Sequence, residues 1–251
     1  MITDKKAAII TGGGQGIGKG IALELLKKGY GVIIAEIDSE AGKETEKELH
    51  YFGSVYFIQT DIRNEPSVIF TINETINRFG NIHLLINNAA IFEKKPIESL
   101  TLSEWNNTIA TNLTGAFLCS KYAASHLSIN NGSIINISST RALMSEPNTE
   151  AYSASKGALL SLTHALAISL APKIKVNCIS PGWIEVRDWK KIKNRIVPEH
   201  TRMDKALQPL QRIGTPYDIA SMVLFLAESN LYITGQNFII DGGTVRRMNY
   251  S

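Results

Sequence analysis

The sequence predicts an α/β fold built on a parallel β-sheet with helices on both faces. Three observations lead there. Short β-branched runs recur along the 251 residues. They are close to continuously apolar rather than alternating, as strands covered on both faces are. Between them lie helical stretches, and parallel neighbours need such crossovers.

The first strand is AAIIT (7–11), followed by a glycine turn and a helix whose apolar positions Ile17, Ile21, Leu25 and Leu26 share one face. GVIIA (31–35), VYFIQ (55–59), HLLIN (83–87), SIINI (133–137), KVNCI (175–179) and NFII (237–240) follow as strands. The charged run SEAGKETEKE (39–48) is read as a solvated helix face without function. Asn64-Glu65-Pro66 and Thr215-Pro216 mark two helix starts, each a capping side chain followed by an early proline, and the second opens onto DIASMVLFLAE. The alternation breaks once, over residues 183–214, polar and basic and bounded by Pro181-Gly182 and Gly214. That stretch reads as an insertion over a site within one domain spanning 1–251.

Composition narrows the function. Hydrophobic content of 44%, charge of 20% and a net charge of +3 are ordinary for a soluble globular protein. Lys and Arg are scattered among acids, so no field that would recruit nucleic acid is expected. Cys119 and Cys178 sit in apolar contexts without ligand spacing and read as buried thiols of a reducing compartment. The five histidines (50, 83, 126, 164 and 200) show no ligand spacing either, so no metal is expected. Neither a signal core nor a membrane-length apolar run is present, and the expected location is the cytoplasm. No G-x-S-x-G elbow surrounds a serine, which disfavours a hydrolase.

After AAIIT the chain reads TGGGQGIGKG, with the spacing Gly12-xxx-Gly16-x-Gly18 at the mouth of a helix. A turn of this kind lets backbone approach a pyrophosphate and aims unpaired N–H groups at negative charge. It is not a P-loop, since no Gly-Lys-Ser/Thr follows. Glu36 lies eighteen residues past Gly18 at the end of the second strand, where a carboxylate accepts both ribose hydroxyls of an adenosine and repels a 2′-phosphate. Gln15 and Ile37 supply no cation for that phosphate. NAD is therefore expected over NADP, with Lys19 the nearby base that would argue otherwise.

These motifs together resemble the short-chain dehydrogenase/reductase family over nearly the whole chain. TGGGQGIG resembles its cofactor turn (Gly12, Gln15, Gly16, Ile17, Gly18), Asp61-Ile62 its adenine contact, and NNAA (87–90) with Asn88 and Ala89 its fourth-strand motif. Asn112 in TNLTGAF, Ser139 in IINISS, and Tyr152 with Lys156 in YSASK resemble its catalytic four. PGWI (181–184), with Pro181, Gly182 and Ile184, and IDGG (240–243) complete the order. The resemblance implies a Rossmann fold of about seven strands in the order 3-2-1-4-5-6-7 and an NAD(P)-dependent oxidoreductase acting on CH–OH groups. Two positions depart from the pattern: NNAA stands for the commoner NNAG, and Val186 stands where a Thr usually bonds the cofactor's carboxamide.

The chemistry explains the pair four residues apart. A free tyrosine has a pKa near 10, so its use as a base at neutral pH requires a drop of about three units, roughly 4 kcal/mol. Tyr152 and Lys156 project from one helix face, so the ammonium and an oxidised nicotinamide are expected to favour the phenolate. The resemblance further implies that Lys156 holds the nicotinamide ribose, Ser139 binds the substrate oxygen and Asn112 positions a water.

Between Ser139 and Tyr152 the stretch TRALMSEPNTE is charged. Arg141, Glu146 and Glu150 either recognise a polar substrate or pair among themselves. Residues 183–214, with Trp183, Trp189, His200 and Arg202, are expected to close over the site as a lid. A polyol, sugar or hydroxy acid is expected. The alternatives are a 3-oxoacyl-carrier-protein reductase and, in another class, a catalytically idle NAD sensor or scaffold. The resemblance implies a homotetramer or homodimer, and the faces at 114–125 and 155–170 offer apolar surface of the right kind.

Overall fold

The computed structural model describes residues 5–229 and 232–248; the first four residues of the N-terminal stretch read for a signal lie outside them. Seven strands, β1 Ala7–Thr11, β2 Gly31–Glu36, β3 Val55–Gln59, β4 Leu84–Asn87, β5 Ser133–Ile137, β6 Lys175–Pro181 and β7 Asn237–Ile240, form one sheet. The order is β3-β2-β1-β4-β5-β6-β7 and every pair is parallel. This is the doubly wound arrangement that the sequence predicts. Two strands run past their expected ends because the register continues: Glu36 pairs with Gln59, and Pro181 with Ile240.

The helices are α1 Gly16–Lys27, α2 Ser39–Leu49, α3 Glu65–Phe79, α4 Leu102–Ile109, α5 Gly115–Ile129, α6 Glu150–Leu170, α7 Arg202–Ala206 and α8 Pro216–Glu228. Successive strand residues point to opposite faces, so each central strand feeds two cores. Ala8, Ile10, Ile34, Leu84 and Ile86 pack with Ile21 and Leu25 of α1 and Ile219 and Val223 of α8. Ile9, Ile33, Leu85 and Ile134 meet Ile72 and Phe79 of α3 and Leu118 and Leu127 of α5. Only the edge strands β3 and β7 expose residues, having one neighbour each. The caps are where the sequence places them. The Asn64 side chain accepts from the Ser67 N–H at 2.9 Å, and Asp218 accepts from the Thr215 N–H at 2.7 Å.

Residues 183–214 carry two 3₁₀ turns, Arg187–Trp189 and Ile192–Asn194, and the short α7. Their ends are fastened together, the Gly214 N–H donating to the Trp183 carbonyl at 3.1 Å and the Glu185 N–H to the Gly214 carbonyl at 2.8 Å. The segment corrects one expectation. The acidic face of α2 is not simply solvated, because Lys191 pairs with Asp38 and Glu40, and Arg195 with Glu48. Charges at helical spacing looked like a water-facing surface because their partner lies 153 residues further on.

Among the described residues no helix is long and apolar enough to cross a membrane. No cluster of three or more His, Cys, Asp or Glu among them is placed to hold a metal. Cys119 and Cys178 are free and buried.

Candidate active site

The carboxyl ends of β1, β2, β4, β5 and β6 converge on two adjoining cavities, as an open parallel sheet dictates. One, of about 510 Å³, runs along Gly12, Gln15, Gly16, Glu36, Ile37, Asp61, Ile62, Asn88 and Ala89. The other, of about 680 Å³, is walled by Phe92, Ser139, Arg141, Met144, Glu146, Tyr152, Gly182, Trp183 and Ile184. Val186 lines both.

Glycine is required at the first turn. Gly12 and Gly16 have φ of +62° and +61°, where side chains are strained. A Cβ at Gly18 would lie 2.2 Å from the Gly12 carbonyl oxygen, so only hydrogen fits between helix and turn. The N-cap residue Gln15 makes no side-chain cap bond, and the first N–H groups of α1 are left for a ligand. Asn88 supports the turn rather than facing the cavity with its amide: its Nδ2 donates to the Thr11 and Gly12 carbonyls, each at 3.0 Å. The Asn88 and Ala89 N–H groups both donate to Thr11 Oγ1. Ala90 is not among the residues with positive φ, so NNAA loses nothing there by lacking a glycine.

Tyr152 stands in the first turn of α6 with Phe92 edge-on at 4.8 Å between ring centroids. Ser139, two residues past the end of β5, shares the cavity wall with the phenol and accepts from the Arg141 N–H at 3.1 Å. The Lys156 ammonium lies 5.6 Å from the Tyr152 ring centroid and donates to the Ile137 carbonyl at 2.7 Å. Ser138 Oγ donates to the Lys156 carbonyl at 2.8 Å, tying α6 to the strand end. Asn112 sits in a π-helical turn, Ala110–Thr114, that joins α4 to α5. Its Oδ1 accepts from the Ile91 N–H at 2.8 Å, and its Nδ2 donates to the Ile91 carbonyl and to Ser155 Oγ, both at 3.0 Å.

A family model described as enoyl-(acyl carrier protein) reductase matches residues 12–245, the span that holds all of these groups but Thr11. The chain belongs to the short-chain dehydrogenase/reductase family. Like other members, it is an NAD(P)-dependent oxidoreductase. It is 47% identical over 250 residues to an uncharacterised oxidoreductase of Thermotoga maritima, covering 98% of each chain. It is 34% identical to the L-fucose dehydrogenase of Bos taurus, over 95% of this chain and 88% of that one. The solved structure of ElxO with NADP bound superposes with a TM-score of 0.86 at 35% identity, covering 97% of this chain and 100% of that one.

Set against the expectations of a short-chain dehydrogenase, the described residues divide. Gly12, Gln15, Gly16, Glu36, Asp61, Ile62 and Ala89 line the first cavity with Asn88, and Gly182 and Ile184 line the second. Ile17, Gly18 and Pro181 line neither, shaping the turn, the helix start and the end of β6, and Asn112 and Lys156 lie buried behind the cavity walls. The bridge to Gly214 is carried by the neighbours of Ile184, which leaves that residue's own N–H and carbonyl outside it. Asp61 is already gripped by Arg63, through Nη2 at 2.7 Å and Nε at 2.9 Å. Glu36 is buried, and its carboxylate accepts from the Gly14, Ile37 and Asp38 N–H groups at 2.9–3.2 Å. Burial pushes its pKa up, and those three donors pull it back.

Burial opposes the ionisation expected of the Tyr–Lys pair. Burial pushes the Tyr152 phenol above its ordinary value, more than the neighbouring Ser139 hydroxyl and the Arg141 charge pull it down. Burial also pushes Lys156 down to about 8. Spacing reveals which groups are neighbours but not how dry they are, and here desolvation outweighs proximity.

The charged wall is paired. Arg141 bridges to Glu146, which also binds Lys94. The Arg141 guanidinium lies 5.6 Å from the Phe92 ring centroid, and its buried Nε has no partner among the described residues. Glu150 is exposed and lines neither cavity, and Trp189 turns away to stack edge-on against Tyr217. Lys19, the base that would have argued for NADP, is buried beneath Glu48 at 2.5 Å. Sequence reasoning missed Arg63, Lys190 and Asn194, which line the first cavity. An Arg two residues after Asp61 was a readable signal; nothing local marks the other two. It also missed Glu185, held to about 2 by Arg187, with His200 Nε2 at 3.1 Å.

Proposed function

We propose that the chain is an NAD-dependent dehydrogenase that reversibly oxidises a secondary alcohol, a polyol, sugar or hydroxy acid, to the ketone. The observation that carries this reading is that Tyr152 and Ser139 share the wall of a cavity that adjoins the glycine turn, with Lys156 beneath the Tyr152 ring. A nicotinamide bound there supplies the hydride acceptor or donor. Tyr152 takes the hydroxyl proton in oxidation and returns it in reduction. Ser139 holds the substrate oxygen and steadies its developing charge. Lys156 has three ammonium hydrogens and spends one on Ile137; the others are free for a ribose hydroxyl and for passing on the proton that Tyr152 collects. The Asn112 amide is spent on Ile91 and Ser155, so any water it positions is held by its main chain, which the π-helical turn opens.

Glu36 supports NAD: its carboxylate lines the cavity at the end of β2, and no free cation stands at positions 15 or 37. Residues 183–214 serve as the lid, with Trp183 and Ile184 facing the substrate and cofactor. Arg141 supports a polar substrate. Shared between two cations, Glu146 leaves the Arg141–Glu146–Lys94 group with a net positive charge, suited to an anionic or hydroxylated substrate. The similarity to an L-fucose dehydrogenase points the same way. Exposed Phe117 on α5 and Ile168 on α6 support assembly through those helices into a homotetramer, and a cytoplasmic location fits the two free thiols.

The test is a titration with NAD and NADP, followed by a panel of polyols, sugars, hydroxy acids, hydrophobic alcohols and 3-oxoacyl thioesters with the preferred cofactor. Turnover confined to polar secondary alcohols with NAD is expected. Activity confined to hydrophobic alcohols, or to acyl thioesters with NADPH, would overturn the substrate assignment.

A further inference from the structure

The segment Lys190–Arg195 has two working sides. Lys190 and Asn194 line the cavity assigned to the dinucleotide. The residues between and after them turn to α2. Lys191 Nζ reaches Asp38 Oδ2 at 2.6 Å and Glu40 Oε2 at 2.9 Å. Lys193 adds a second contact to Glu40 at 2.6 Å, the Ile192 N–H donates to Glu44 Oε2 at 2.7 Å, and Arg195 pairs with Glu48. Glu40, Glu44 and Glu48 are four residues apart and share one helix face. Asp38 caps α2, accepting the Glu40 and Ala41 N–H groups, two residues after Glu36.

We propose that Lys191 is a positioning residue for the dinucleotide, latching the lid to α2 across the adenosine end of the cavity. The proposal rests on the reading of that cavity as the dinucleotide's seat. Lys191 is suited to the task. Its side chain is 14% exposed and its charge is met by two carboxylates, whereas Lys193 is 60% exposed. The latch does two things. It roofs the adenosine half, so the ligand leaves only after the segment lifts. It also neutralises an acidic edge, two to four residues past Glu36, that would otherwise repel the pyrophosphate at the nearby glycine turn. Covering of the substrate end by the same insertion is a separate contact, made by Trp183 and Ile184 rather than by this strip.

The test compares the wild type with Lys191→Met and Lys191→Arg. Dissociation of NADH is followed by stopped-flow fluorescence at low salt and at 1 M KCl, where screening acts within roughly 3 Å. Lys191→Met is expected to release NADH roughly tenfold faster at low salt, from the loss of one partly buried and one exposed ion pair. Salt should accelerate release from the wild type but not from this variant, Lys191→Arg should restore slow release, and the KM for the alcohol should not move. Without any ligand, hydrogen exchange at the Ile192 amide should rise in Lys191→Met while the melting temperature stays within about 2 °C of wild type. Equal NADH release from the wild type and Lys191→Met overturns the latch. Failure of the wild type to bind NADH or NADPH overturns both the latch and the reading of the cavity.

Discussion

Replacing Gly18 with alanine tests the glycine turn at its tightest point. The added Cβ would sit 2.2 Å from the Gly12 carbonyl oxygen and 2.7 Å from Asn88 Nδ2. An ordinary carbon–oxygen contact is roughly 1 Å longer, and neither neighbour yields cheaply: one is main chain, and the other is fixed by bonds to Thr11 and Gly12. Overpacking of this kind costs about 1–3 kcal/mol. In a chain of this size each kcal/mol lowers the melting temperature by about 2–4 °C, so a fall of roughly 2–12 °C is expected. Binding should suffer as well, because the turn can relieve the clash only by moving the backbone that faces the pyrophosphate. A tenfold to hundredfold rise in the NADH dissociation constant is expected, about 1.4–2.8 kcal/mol. Gly157→Ala is the control. It lies inside α6 one residue past Lys156, a Cβ there meets nothing within 4 Å, and its φ is not positive. Removing a glycine from a helix interior should stabilise by about 0.5–1 kcal/mol. Differential scanning calorimetry and fluorescence titration read both quantities. Gly18→Ala with unchanged melting and unchanged NADH affinity would refute the reasoning.

Three further outcomes are expected. Tyr152→Phe should lower kcat by about 10²–10⁴-fold and leave NADH binding within about twofold, measured by steady-state kinetics and titration; full turnover would revive the idle-sensor reading. Glu36→Ser should weaken NAD at least about tenfold and shift the NADP/NAD ratio of kcat/KM upwards, because the carboxylate that repels a 2′-phosphate is gone. Lys156, lowered from 10.5 to about 8 in the folded chain, holds fewer protons there than when unfolded, so its burial penalty is present below pH 8 and fades as pH rises towards 10.5. The melting temperature of the wild type minus that of Lys156→Met should therefore climb between pH 7.5 and 9. A flat difference would show that Lys156 ionises normally. Taking the difference removes most of what Cys119 and Tyr30 contribute, since their raised pKa values act in the opposite sense.

The sheet was legible because its signals are local. Ile9, Ile33 and Leu85 belong to runs too short for helices and too apolar for a one-sided sheet, and the glycine turn announces the first crossover. Asn64 and Thr215 mark helix starts by chemistry confined to four residues. The candidate site was legible as a list of side chains but not as an electrical environment. Nothing in YSASK tells how much water Tyr152 and Lys156 lose, and that loss decides the direction of both pKa shifts. The Asn112 amide looked available until the loop leaving β4 brought Ile91 against it. Arg141 and Glu146 were visible as a charged pair, yet Lys94, which tips their sum to positive, comes from a different loop. The grip of residues 191–195 on α2 was hidden for the same reason: segments far apart in the chain carry halves of one contact.

Val186 stands as a party wall between two rooms. A Cβ at Gly16 would lie 3.7 Å from its Cβ, while its other side faces the chamber of Tyr152. No replacement at this one residue can be felt by a single tenant. Widening or narrowing the partition shifts the grip on both occupants together, so their affinities should drift in tandem whenever that residue changes.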